Sequence, residues 1–326
     1  MARMASDATD DNGSGKFGRG LSLLAWGYNE EQLVEAFLAR AVALLDETVD
    51  DYEIIFVNDG STDGTGALAD AFARSHPQVR VIHHPRNLNV GMACRTAVEH
   101  ARKDYLLWQT VDWSYDLTNL RLFLELLTYY DVVQGVRPVP IRLLSYIPVI
   151  RSIYRVRSRS DNIRKAIVSL VNYYVLRILF GVRFYDFQNV TIYPRSLVQS
   201  FAMRGRTPFV NPEFLIRSYA AGARFIEVPI PFIKRSAGKA KGTKLRTIVR
   251  AVLDIAKNWL QWGWRYRLDG RLAWAPRRID RVSLPFALRE PVLRICLTMF
   301  KEFDFKSYEG GMGGGDAVRA NVTHPR

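Results

Sequence analysis

Between Leu21 and Val136, short apolar runs alternate with segments of helix length, and this alternation constrains the fold more than any other feature. LSLLAW precedes EEQLVEAFLARAVALL, YEIIFV precedes GALADAFAR, VRVIHH precedes VGMACRTAVEHARK, YLLWQ precedes LRLFLELLTYY, and VVQGV closes the series. Strands that are apolar throughout are buried on both faces, and helices between them supply the cover. The chain is therefore predicted to be α/β, a mostly parallel open sheet flanked by helices. Ligands of such sheets sit beyond the carboxyl ends of the strands, so a site is expected in the loops after Trp26, Val57, His83 and Gln109.

The 326 residues are 48% apolar, which excludes a chain disordered throughout. Residues 1–20 and 307–326 are polar or glycine-rich and read as loose tails. They bracket a domain at 21–245 and a helical extension at 246–306. The extension holds the Trp-rich stretch Trp259, Trp262 and Trp264, which points to a membrane surface, and Pro285 and Pro291 break it into short pieces.

Charge is split unevenly. The first 134 residues carry 11 basic and 20 acidic groups, net −9, and the remainder 35 and 12, net +23. Such asymmetry calls for an anionic partner of the C-terminal part, and without a recognised nucleic-acid motif, nucleic acid is set aside. Residues 137–165 carry eight basic groups against one acidic, interleaved with aromatic and aliphatic side chains. They read either as a basic amphipathic element on an anionic membrane surface or as a helix packed on the sheet with solvated arginines. Two cysteines, Cys94 and Cys296, form neither a disulfide framework nor a CxxC pair. No uncharged apolar run reaches the roughly 18 residues of a spanning helix, and Ala166–Leu176 ends at Arg177. With no signal-peptide core in the first 20 residues, the expectation is a cytoplasmic chain, peripheral at the inner face of a membrane.

Four strand-end loops carry the candidate chemistry. Asn58-Asp59-Gly60-Ser61-Thr62-Asp63-Gly64-Thr65 sets two carboxylates at a strand end, suited to ribose hydroxyls or base N–H groups; as plain turn chemistry, Asp63 would cap the next helix. Gly64-Thr65-Gly66-Ala67-Leu68-Ala69 also satisfies GxGxxA, but the acidic turn separates it from its strand, unlike a dinucleotide loop. Tyr28-Asn29-Glu30-Glu31 offers an aromatic face, an amide and carboxylates for a nucleobase, or simply an acidic helix start. Arg86 to Ala93 and Thr110-Val111-Asp112-Trp113-Ser114 follow the third and fourth strands, and Asp112 suits a divalent cation bridging a pyrophosphate.

Four such loops in this order resemble the family 2 glycosyltransferases of the GT-A fold, in particular their polyprenyl-phosphate mannose or glucose synthase branch. The resemblance runs from about Leu21 to Lys244. It implies nucleotide contacts by Tyr28, Asn29, Glu30, Asp59, Asp63, Asn87 and Gly91, with Asn89 where the family has its first glycine. The family's Asp-x-Asp metal motif falls on Thr110-Val111-Asp112, so Asp112 and Ser114 remain to hold Mg²⁺ or Mn²⁺ while Thr110 supplies no charge. Asp186 and Gln188, in Arg183-Phe184-Tyr185-Asp186-Phe187-Gln188, match the segment that shapes the donor-sugar and acceptor pocket, though the family's Ser-Gly-Phe-Arg is replaced by Asn189 to Ile192.

Glu213 stands where the family places an acidic residue at a helix start. It would be the general base for a hydroxyl acceptor, which must lose its proton, and is dispensable for an already anionic phosphate; otherwise it is an exposed first-turn acid favouring the helix dipole. Arg235 and Lys241 match a basic loop that closes over the donor diphosphate, and Gly222 to Ile230 matches the family's Glu-Val-Pro strand. The implied activity is inverting transfer of a sugar from a UDP- or GDP-linked donor to a polyprenyl phosphate or another membrane-associated lipid. The alternatives are transfer to a glycan hydroxyl with Glu213 as base, and a degenerate, non-catalytic nucleotide-sugar-binding subunit permitted by Thr110.

Overall fold

The structure of the protein, a computed structural model, describes residues 16–136, 163–184, 186–187, 190–230, 245–269 and 279–281. The first half runs β1 (Leu21–Gly27), α1 (Val34–Thr48), β2 (Tyr52–Asn58), α2 (Thr65–Ser75), β3 (Val79–His83), α3 (Val90–His100), β4 (Tyr105–Trp108), α4 (Leu120–Leu126) and β5 (Val132–Val136). Then follow α5 (Ile163–Phe180), β6 (Thr191–Pro194), α6 (Arg195–Gln199), α7 (Val210–Ala220), β7 (Phe225–Pro229), α8 (Leu245–Asn258), a π-helical turn (Trp259–Gly263), α9 (Trp264–Leu268) and β8 (Ile279–Arg281). The expected strand ends hold to within one residue.

The eight described strands form one sheet in the order β3-β2-β1-β4-β6-β5-β7-β8. All pair in parallel except β6, which runs antiparallel to both β4 and β5. The chain lays β2 and β3 on one side of β1 and β4 on the other, and such a switch point opens a crevice at the carboxyl ends of β1 and β4. Gly27 lies opposite Asn58, and Asn58 opposite His83, so the loops after β1, β2 and β3 emerge at one level. β4 ends lower, with Trp108 opposite Leu24.

Hydrophobic periodicity decides what each helix covers. On α1, Val34, Phe37, Leu38, Ala41 and Leu45 recur at helical spacing and are all buried on the face of the sheet also covered by α4. The opposite face is covered by α3, α5 and α7, whose Cys94, Ala97, Leu176, Phe180, Phe214 and Ile216 join Trp108, Tyr193 and Phe225 of the sheet in a second core.

The tail expected to reach residue 20 is already part of the fold at Phe17, which bridges in parallel to Val49 and sets its ring, tilted, 5.8 Å from that of Tyr105. Arg19 donates to the Tyr105 hydroxyl at 2.7 Å, so these residues bury enough surface to be held. In the segment expected as a helical extension, Ile255, Trp262 and Ile279 belong to the second core, and β8 adds an edge strand beside β7. The segment 137–162, most of residues 1–20 and everything after 281 lie outside the described residues.

Candidate functional site

The loops after β1 and β2 are joined by hydrogen bonds into one surface. Asn29, at φ +54°, accepts from the Thr62 amide at 2.8 Å, while its own amide donates to Ser61 Oγ at 2.9 Å. The Glu30 amide donates to Thr65 Oγ1 at 2.8 Å, and Glu31 Oε2 accepts from the Gly64 amide at 2.8 Å. Asp63 accepts from the Thr65 amide at 3.0 Å and hydroxyl at 2.5 Å at the start of α2. Burial raises the Asp63 carboxyl, but those Thr65 bonds and the Glu31 amide outweigh it and hold the group below its ordinary value. Asp63 and Asn29 therefore shape the loops, and Tyr28 and Glu30 stand half-buried beside them.

Asp59 is buried, and its carboxylate braces the next loop. It accepts from the Leu88 amide at 2.9 Å and the Asn89 amide at 3.0 Å, and it bonds His84 Nδ1 at 2.7 Å. His84 Nε2 continues to Thr96 Oγ1 of α3 at 2.9 Å. Gly60, at φ +68°, lets the two loops touch, since a Cβ there would meet the Arg86 carbonyl carbon at 2.2 Å. Asn89 holds φ +75° and ψ +162°, a conformation that glycine adopts freely and a side chain resists. Its position is the one where the resembled family has glycine. Asn87 is exposed and accepts from the Asn89 amide at 3.2 Å.

After β4 the chain makes a compact polar turn. Gln109 is buried and donates to the Tyr115 carbonyl at 2.7 Å. Asp112 Oδ1 accepts from the Ser114 hydroxyl at 2.7 Å and amide at 3.2 Å, and Thr110 Oγ1 accepts from the same amide at 3.2 Å. Trp113 between them sits at φ +50°, held by its ring 5.6 Å from Phe37 and by the Arg40 guanidinium 4.4 Å above it. Asp116, four residues beyond Asp112, accepts from the Thr118 amide at 2.9 Å and hydroxyl at 2.5 Å. Among the described residues there is no group of three His, Cys, Asp or Glu side chains fit to hold a metal ion.

The fourth wall comes from the loop before α7. Gly91 opens α3 so closely beneath this loop that a Cβ would meet the Gly205 carbonyl and the Arg206 backbone at 2.5 Å. Its amide donates to the Arg206 carbonyl at 3.3 Å, and Arg95 of α3 donates to the Met203 carbonyl. Two carboxylates clamp the loop from behind. Glu213, fully buried, accepts from the Gly205 amide at 2.6 Å and the Arg204 amide at 3.0 Å, and pairs with Arg217 Nε at 2.8 Å. Asp254 of α8 accepts from the Arg206 amide at 2.9 Å and the Thr207 amide at 3.0 Å. Arg217 lies 4.2 Å above the Trp262 ring. The expectation that Glu213 is otherwise an exposed first-turn acid is thus corrected: the helix turns this carboxylate inward because Arg217, one turn on, needs it.

Tyr28, Asn29, Glu30, Asp59, Asp63, Asn87, Asp112 and Ser114 lie on the loops at this end of the sheet, and Gly91 lies in the first turn of α3. Asp186 is buried farther along, where its carbonyl accepts from the buried Gln134 side chain at 2.5 Å. Gln188, Arg235 and Lys241 lie outside the described residues. His84, Arg204, Arg206 and Asp254 were missed. His84 carried a signal in the doubled histidine ending VRVIHH, whereas the loop residues and Asp254 are separated by 48 positions and meet only through the packing of α8.

Residues 27–148 match the family model described as Glycosyl transferase family 2. A dolichyl-phosphate beta-glucosyltransferase of Trichomonas vaginalis is 33% identical over 90 residues, 26% of this chain and 27% of that protein. The chain thus spans about a quarter of that relative's length. An undecaprenyl-phosphate mannosyltransferase of Micrococcus luteus is 28% identical over 247 residues, covering 74% of this chain and 93% of the relative. Among solved structures, the glucosyl-3-phosphoglycerate synthase of Mycobacterium tuberculosis in complex with UDP matches with a TM-score of 0.52 at 16% identity, over 74% of this chain and 80% of that one. The same synthase with Mn²⁺, UDP and phosphoglyceric acid matches with a TM-score of 0.50 at 16% identity, over 74% and 78%. At such identity these structures speak for the fold.

Proposed function

We propose, for a chain that belongs to the family 2 glycosyltransferases and has their GT-A fold, inverting transfer of a sugar from a UDP- or GDP-linked donor to a polyprenyl phosphate at a membrane face. The observation that carries the choice of acceptor is the state of Glu213. A hydroxyl acceptor must be deprotonated as it attacks C1, and its base has to reach it. Glu213 is fully buried and its carboxylate is committed to Arg217 and to the Arg204 and Gly205 amides. An anionic phosphate oxygen needs no base: it forms the bond to C1 as the bond to the nucleoside diphosphate breaks, on the opposite face of the sugar. The similarity to the Micrococcus luteus enzyme across nearly its whole length supports the same class of acceptor.

In this reading the nucleoside lies across the Tyr28 to Glu30 loop and the Asp59-braced Leu88 to Gly91 loop. Asp59 fixes the wall of the pocket through the Leu88 and Asn89 amides. The diphosphate meets Asp112, and the leaving charge is stabilised by Arg235 and Lys241 closing over it. The oxygen donors Asp112, Ser114 and Thr110 fit Mg²⁺ or Mn²⁺ only when donor phosphates complete the shell, because a hard cation accepts one protein carboxylate plus phosphates and water. When bound, such a cation neutralises charge on the diphosphate. Asp112 would hold it, and the Ser114 hydroxyl orients that carboxylate at 2.7 Å.

The test is transfer of labelled sugar from a panel of UDP- and GDP-sugars to polyprenyl phosphate, read in the solvent-extractable phase, with Mg²⁺, with Mn²⁺ and with chelator. Label in the lipid is the expected result. Label in a glycan instead would overturn the acceptor, and nucleotide binding without transfer from any donor would point to the degenerate, non-catalytic subunit.

A further inference from the structure

The helix from Leu245 to Leu268 carries apolar residues on a wide arc, part of it buried and part exposed. Its inward face, Ile255, Asn258 and Trp262, is buried in the second core, with Phe180 5.2 Å from Trp262 and 5.5 Å from Trp259. Its outward face carries Val249, Val252, Leu253, Leu260, Trp264 and Leu268, with Leu253 63% exposed, Leu260 71% and Leu268 76%. These residues follow one another at intervals of three, four, seven, four and four once Val249 is paired with both Val252 and Leu253. The π-turn Trp259–Gly263 takes one extra residue into its turn, which keeps Trp264 and Leu268 in line with the stripe before it. Ile178 of α5, also exposed at 70%, lies near the end of this helix, since Arg267 donates to its carbonyl at 2.7 Å.

A row of large apolar groups in water is unfavourable unless something covers it. The charges around this one select the cover. Arg250, Lys257 and Arg265 are exposed on the same helix. The only acid between Leu245 and Leu268, Asp254, is turned inward onto the Arg206 and Thr207 amides. An apolar stripe with a tryptophan and a basic flank is the pattern of a helix lying in the interface of an anionic bilayer. We infer that the outward face of α8 and α9, with Ile178 near its end, is the surface by which this protein docks on an anionic lipid bilayer. Trp259 and Trp262, which the sequence pointed at a membrane, face the core instead, and Trp264 alone of the three joins the docking face. The inference rests on the lipid-acceptor reading for its purpose and names the place where that lipid meets the protein.

The experiment is co-sedimentation of the full chain with vesicles of phosphatidylglycerol and phosphatidylcholine in equal parts, or of phosphatidylcholine alone, neither containing polyprenyl phosphate. Since no acceptor is present, failure of the acceptor reading leaves the result untouched. Wild type should bind the anionic vesicles at least tenfold more tightly than the neutral ones. The double variant Leu253→Glu with Leu260→Glu should lose at least tenfold of that binding with its thermal transition unchanged, both positions being exposed. Arg250→Gln with Lys257→Gln should lose the preference for anionic over neutral vesicles. Wild type remaining in the supernatant, the leucine variant binding like wild type, or a dimer in solution that the leucine substitutions dissolve would each overturn the inference.

Discussion

Replacing Glu213 by Gln separates a group that holds the site from one that takes a proton. The carboxylate accepts from Arg217 on one oxygen and from the Gly205 amide on the other, with the Arg204 amide shared between them. Gln has a single acceptor oxygen, so its NH₂ must face either the Arg217 guanidinium or the Gly205 amide, donor against donor. Removing one member of a buried ion pair costs about 3–5 kcal/mol. Arg217 keeps its place over Trp262, which tempers this, and the expected loss is about 3 kcal/mol, or about 4–5 °C in Tm. Because the Gly205–Arg206 backbone lies against Gly91, the donor KM should rise while kcat, measured below the transition, falls less than about tenfold. The double variant Glu213→Gln with Arg217→Met should regain much of the stability, since no charge is then stranded. Thermal unfolding and steady-state kinetics with saturating lipid phosphate read both. A kcat loss of about 100-fold or more at unchanged Tm and KM would refute the reasoning and restore Glu213 as a base.

Four further outcomes follow from the same geometry. Asn89→Gly relieves a side chain held at φ +75°, and the urea midpoint should rise by an amount equivalent to about 1 kcal/mol, the relieved strain being partly offset by the freer unfolded chain. Thr110→Asp should tighten Mn²⁺ binding in the absence of nucleotide by about tenfold, as read by calorimetry, because it restores a second carboxylate beside Asp112. Asp254→Asn should raise the donor KM several-fold while leaving vesicle binding intact, since it loosens the Arg206–Thr207 loop without touching the outward face of α8. The Asp63 carboxyl lies below its ordinary value of 3.8, so its contribution to stability is complete above about pH 4 and fades as pH falls through the depressed value. Asp63→Asn should therefore flatten the acid limb of stability against pH, measured by urea unfolding; an unaltered limb would remove Asp63 from the account.

The residues of β1 to β4 announce their own structure, because an apolar run between two helix-length segments has few other ways to be buried, and the strand ends were legible to one residue. Within Asn58 to Thr65, Asp63 acts on Thr65 two positions on and was legible as a helix cap, whereas the bonds that join the Tyr28 to Glu31 loop to this one span 32 to 35 positions and were not. Nor was what Asp59 does: its partners, His84 and the Leu88 and Asn89 amides, lie 25 to 30 positions on, and the carboxylate expected at the nucleotide is engaged in bracing the loop beside it.

Glu213 and the Leu245–Leu268 helix mark the limit of local reading. An acid at the start of a helix is the same letter whether it faces water or Arg217, and a helix with a wide apolar arc does not say which part of that arc meets the core. The side-chain pattern, acting over one or two turns, determined the strands, the helices and the family's loops. Only packing between elements far apart in the chain decided that Glu213 is buried, that Asp254 reaches the loop over Gly91, and that Trp262 faces inward while Leu253 and Leu260 face out. Burial is a property of what lies on the other side of a residue, and that neighbour is chosen by the whole sheet.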